Sequence, residues 1–166
     1  VQRLTINSAG LVNVDGTFTA GTKTFRIKHP LPEKSENFSL VHACLEGPRL
    51  DLLYRGVATL VEGVATVDLD EASGMTAGTW VLLCRDPMAM VINATGFASV
   101  RGSVSGSTLT ITCEESNCSD IVSWLVVAER QDEAIKGQSS TDDDGRLILE
   151  PLKVPPDPGE DDNEPA

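Results

Sequence analysis

The stretch VRGSVSGSTLTITCEESNCSDIVSWLVVAE, residues 100–129, decides how this chain folds. Its first half alternates apolar and polar residues on either side of Ser105-Gly106-Ser107, the pattern of two strands joined by a tight turn. Its second half ends in WLVVAE, a continuous apolar run of strand length. A run apolar at successive positions suits a central strand covered on both faces. A hairpin beside a central strand predicts an antiparallel β fold.

The same punctuation recurs outward from this stretch. Candidate strands fall at Thr24–Lys28, Ser39–Glu46, Asp51–Leu60, Val64–Leu69, Gly78–Cys84, Val100–Val104, Thr108–Cys113 and Ile121–Glu129, with Glu62-Gly63, Ser73-Gly74 and Thr95-Gly96 as breaks. The chain has 166 residues and 14 glycines, few aromatics and many Val, Thr and Ser, which favours short strands over long helices. The expected fold is all-β: an antiparallel β-sandwich or barrel-like body over residues 22–153. A short shaft-like β segment, residues 1–21, precedes it, with Gly10 and Asp15-Gly16 as its turns. That segment is too small to bury its own apolar face, so it is expected to pack on the body or on copies of itself. The first residue is Val1, which reads as a processed product or a piece of something longer.

After the body, QDEAIKG (131–137) suits one or two helical turns ending at Gly137, and GRLILEPLK (145–153) one more strand. Residues 154–166, VPPDPGEDDNEPA, are acidic and proline-rich and are expected to be a disordered tail, dispensable for folding. Nine acids and two bases lie between Asp142 and Ala166, so much of the net charge of −12 is local. That charge argues against a nucleic-acid partner, whose backbone is bound by Lys and Arg displacing counterions. No apolar run approaches the length of about 18 residues that suggests a membrane span, and no signal-peptide pattern opens the chain.

Chemistry-bearing residues are sparse. The two histidines are His29 and His42; His42 and Cys44 share one strand face, and Asp51 follows, so a hydrolase using His42 with Cys44 or Asp51 is the remote enzymatic reading. No Gly-x-Ser-x-Gly elbow accompanies them, and packing or hydrogen bonding is the plainer role. The cysteines, Cys44, Cys84, Cys113 and Cys118, form no C-x-x-C pair. Cys113 and Cys118 flank EESN, which permits a hairpin-closing disulfide in an oxidising compartment; reduced thiols acting as small hydrophobes are the alternative. The acidic runs at 142–144 and 160–162 lack the oxygen spacing of a calcium loop, so no metal and no cofactor is expected. Asn37, Asn93 and Asn117 open N-x-S/T sequons, unsurprising in a chain rich in Ser and Thr.

The densest local pattern is FRIKHPLPEKSENFSLVHACLEGPRLDLLYRG, residues 25–56. It reads as a strand stopped by His29-Pro30, a polar loop, a second strand into a Gly47-Pro48 turn, and a third strand ending in Tyr54-Arg55-Gly56. Glu46 and Arg55 lie in successive strands; they either pair across the turn or stand as two solvated charges. Trp124, within the most apolar strand, is a core candidate.

This pattern, with VDLDEASGMTAGTW (67–80), LCRDP (83–87), VRGSVSGSTLTI (100–111) and VSWLVVAERQD (122–132), resembles a module near the C-termini of tail-fibre and tailspike-like structural proteins of tailed bacteriophages. The resemblance covers about residues 25–133 and rests on the joint order of the His-Pro, Val-His, Glu-Gly-Pro and Tyr-Arg-Gly elements. It implies a homotrimeric structural protein of the virion's tail appendage, assembled in the host cytoplasm. It also implies contact with other tail components and attachment to a glycan or protein receptor on the bacterial surface. It implies no reaction. The self-cleaving chaperone domain that follows some related fibres is not recognised here. The competing reading is a secreted carbohydrate-binding β-sandwich; with Trp80, Trp124 and Tyr54 the main aromatics besides four phenylalanines, its stacking platform is thin.

Overall fold

The alternation read between residues 100 and 129 becomes sidedness in the folded chain. The computed structural model describes residues 4–6, 12–14, 18 and 21–152. In chain order the early strands are Leu4–Ile6 (β1), Val12–Val14 (β2), Thr24–Lys28 (β3), Ser39–Ala43 (β4), Asp51–Thr59 (β5) and Val64–Asp68 (β6). Two short helices, Leu69–Ala72 (α1) and Thr79–Leu83 (α2), lead into Cys84–Asn93 (β7), Val100–Ser105 (β8), Thr108–Cys113 (β9) and Ile121–Arg130 (β10).

Two antiparallel three-stranded sheets, β5–β10–β7 and β6–β9–β8, pack together as a sandwich. This is the all-β, sandwich-like fold expected. From β10, Val122, Trp124, Val126 and Ala128 point inward; Leu109 and Ile111 of β9 and Ala65 of β6 meet them, with Leu60, Leu69 and Trp80 completing the core. Burying each large side chain of this kind stabilises the fold by about 1.5–3 kcal/mol. Where β8 nears β7, a Cβ on Gly102 would come within 2.8 Å of Val91 Cγ1, so glycine sets the spacing there. The other two pairs, β1–β2 and β3–β4, are separate hairpins.

Several elements differ from the sequence reading. Residues 78–84 were expected as a strand but form α2. Gly78 sits in the left-handed region at φ 88°, and the buried Asp70 carboxylate accepts the backbone N–H groups of Gly78 (2.8 Å) and Trp80 (2.7 Å). Strand β7 was not expected, because Arg85, Asp86 and Pro87 interrupt its apolar pattern. The fold absorbs them in an irregularity, with Asp86 at φ 49° and a register shift between Val127 and Glu129. The second strand of the 25–56 segment ends at Ala43, short of Glu46. The strand expected over 145–153 reduces, among the described residues, to one bridge between Thr141 and Leu147. The helical turn expected after Arg130 is a 3-10 turn, Glu133–Ile135, capped by Asp132. Strand β10 is central to its sheet, but only one of its faces is covered. The acidic tail, residues 154–166, and most of residues 1–21 lie outside the described residues.

The segment after β10 is tied back by a buried carboxylate. Glu129, 3% exposed, accepts Arg85 Nε at 3.0 Å and Arg146 Nη1 at 3.1 Å, while Arg85 Nη1 donates to the Asp144 carbonyl at 2.6 Å. Gln131 Nε2 donates to the carbonyls of Val81 and Cys84, each at 2.8 Å.

Candidate assembly surfaces

The residues singled out between 25 and 56 divide between the β3–β4 hairpin and β5. His29 follows β3 and its Nδ1 accepts the Leu31 N–H at 3.2 Å; Pro30 opens the loop that returns to β4. His42 stands opposite Phe25 in the hairpin register, and Cys44 lies just beyond β4, its N–H donating to the Lys23 carbonyl at 2.8 Å. Both His42 and Cys44 are exposed on the hairpin, and Asp51 is exposed at the start of β5. Glu46 pairs with Lys23 Nζ at 2.8 Å, and not with Arg55. Arg55 points out from the middle of β5, opposite Leu125, and makes no ion pair among the described residues. The physical reason is placement: Glu46 stays at the base of the hairpin, while Gly47 and Pro48 carry the chain on to β5.

Tyr54 and Gly56 belong to the inner face. The Tyr54 hydroxyl lies 3.3 Å from Cys84 Sγ, its ring meets Trp80 edge-on at 6.2 Å, and burial raises its pKa above the ordinary phenol value. Gly56 lies directly under the Trp124 indole. Trp124 is core as expected, 5% exposed.

The outer faces of the two sheets differ in kind. On β5–β10–β7 the outward rows are Leu53, Val127 and Met88; then Arg55, Leu125 and Met90; then Val57, Ser123 and Ile92. Val57 is 70% and Ile92 69% exposed. On β6–β9–β8 the corresponding rows are Val64, Thr112 and Arg101; Thr66, Thr110 and Ser103; Asp68, Thr108 and Ser105. One sandwich therefore carries a solvated Thr and Ser face and an apolar face. An exposed contiguous apolar patch marks an interaction site far more often than scattered apolar residues do.

The hairpins expose apolar residues as well: Leu4, Ile6 and Val12 on the first, Ile27, Phe38 and Val41 on the second. Among the described residues, neither hairpin packs extensively on the sandwich strands. An isolated two-stranded hairpin is marginal in water.

Sequence reasoning missed the buried polar residues Asp70 and Glu129, whose roles depend on partners distant along the chain. All four cysteines are free thiols. Cys118 donates to Asp120 Oδ2 at 3.3 Å; a backbone hydrogen bond at Asp120 lowers its pKa, but burial and hydrogen bonds to Cys113 and Asp120 raise it, to about 11. Asn93 is committed to its loop: Nδ2 donates to Asp120 Oδ2 at 2.8 Å, and Oδ1 accepts from Gly96 N at 2.8 Å. Among the described residues no group of His, Cys, Asp and Glu is arranged to hold a metal ion.

Compared with known proteins, the chain matches no family model, and neither a curated protein nor a solved structure is significantly similar to it.

Proposed function

We propose that this chain is a non-catalytic structural module from the end of a homotrimeric tail fibre or related virion appendage, serving assembly and attachment to the host surface. The observation that carries the reading is the pair of N-terminal hairpins. Their described residues hold apolar side chains in water with little support from the sandwich, which is an unfavourable arrangement for a solitary chain. Copies of the chain meeting along these hairpins remove that surface from water. The sequence resemblance to fibre modules points the same way.

The secreted carbohydrate-binding alternative fits less well. Sugar sites favour exposed Trp and Tyr faces, whereas Trp80 and Trp124 are buried and Tyr54 is half-buried, so the exposed rings among the described residues are the phenylalanines Phe18, Phe38 and Phe97. Light scattering on the chain across a concentration series is the test. A molar mass of three times 17.7 kDa is expected; a mass of one chain at every concentration overturns the reading.

A further inference from the structure

We infer that the outer face of the β5–β10–β7 sheet is the surface on which a second copy of this chain packs, with Arg55 directed at the neighbour's carboxylates. This rests on the homo-oligomeric reading above and names the surface it uses. Strand β10 supplies the first argument. Its run WLVVAE is apolar at successive positions, as suits strands covered on both sides, yet the sandwich covers one side and leaves Leu125 and Val127 half-exposed. The second sheet shows that this chain makes a solvated outer face where it needs one: the three outward positions of β9 are all threonine.

Charge identifies the occupant. The chain carries a net charge of −12, so copies repel one another over most of their surfaces. The three outward rows named above hold no carboxylate and a single cation, Arg55, while Asp51, Asp86 and Arg49 lie together at the end of the face beside Met88 and Val127, with Arg146 Nη2 3.9 Å from Asp86 Oδ2. A second copy therefore meets least repulsion here and brings carboxylates to Arg55. Burial of a cation at the centre of such a contact requires that pairing.

Area sets how the contact must extend. With strands about 4.8 Å apart and residues about 3.4 Å apart, three rows on three strands give a footprint of about 300 Å², against about 800 Å² per partner in a stable interface. The face alone is too small. The remaining area comes from the exposed hairpins of the same chain, so full assembly needs both surfaces, and weakening either loosens it.

The experiment compares three full-length chains by light scattering and thermal melting. In V57T/I92T the two most exposed positions take the β-branched polar residue used on the opposite sheet, which preserves strand propensity. R55M removes the cation, and T66K, on the polar face, is the control. V57T/I92T is expected to stay folded and to weaken assembly by about 100-fold or more, R55M to remove part of its salt dependence, and T66K to assemble like wild type. If wild type is a single chain throughout, the homo-oligomeric reading fails and this inference with it. If wild type assembles and folded V57T/I92T assembles equally well, the reading stands and the surface is wrong. Equal weakening by T66K also overturns the choice of surface.

Discussion

A methyl group on Gly56 would lie 2.5 Å from Trp124 Cζ2 and 3.0 Å from its indole nitrogen. Strand β5 lies against a tryptophan there, and only a residue without a Cβ fits. Gly56→Ala is expected to cost about 2 kcal/mol through overpacking, measured by chemical denaturation. The cost should shrink in a Trp124→Phe background, since the smaller ring leaves room and removes an indole N–H that has no partner among the described residues. The run Tyr54-Arg55-Gly56 reads as a strand end, but β5 continues to Thr59, and the role of Gly56 inside it depends on a residue 68 positions away. Acidification should expose another residue-scale dependence. Asp120, hydrogen-bonded by Asn93 and Cys118, and Asp132, hydrogen-bonded by Arg130, both have folded pKa values below the usual carboxylate range. Depressed values mean stability that is present above the unfolded carboxylate pKa and lost as pH falls through the folded one. The melting temperature should therefore drop on going below about pH 4, and Asp120→Asn should flatten that drop.

At the scale of elements, the least legible part was the passage from α1 to β7. Its order comes from Asp70, which offers both carboxylate oxygens to backbone N–H groups of the α2 entry, and no local sequence period records such a contact. Asp70→Asn supplies one acceptor for two donors and leaves an N–H unpaired in the interior; a loss of about 2 kcal/mol is expected by denaturation, with the amides of Gly78 and Trp80 exchanging faster. Strand β7 escaped notice for a related reason: Arg85 looks like a surface charge until Glu129 and the Asp144 carbonyl are placed beside it. Replacing Glu129 with Gln should cost about 3 kcal/mol, because Arg85 stays largely buried without its counter-charge. By contrast, β3, β5, β6, β8, β9 and β10 were readable, since alternation between glycine breaks has one simple three-dimensional meaning. Of the assembly surface, Arg55 stands out in the sequence, either as the partner of Glu46 or as a solvated charge; outwardness along β5, β10 and β7 needs the register between strands, which no single segment contains.

For the whole molecule, burial sorts the thiols. Cys44 is exposed, whereas Cys84, pushed up by burial, and Cys118, near 11, are both buried. Alkylation of the native protein near neutral pH, followed by mass spectrometry, should therefore modify Cys44 first, with Cys84 and Cys118 reacting only on unfolding. Rapid labelling of Cys84 would show that the sandwich opens more readily than its packing implies.

The unlike outer faces of the two sheets also make any solitary chain a facial amphiphile, a plate wetted on one broad side and dry on the other. Such a plate orients itself at a boundary between water and air. Dilute preparations should lower surface tension, and vitrified films should hold particles with the threonine side turned toward the liquid. Once copies close over one another's dry sides, that adsorption should fade, so the loss of surface activity with rising concentration would trace the same event from outside the molecule.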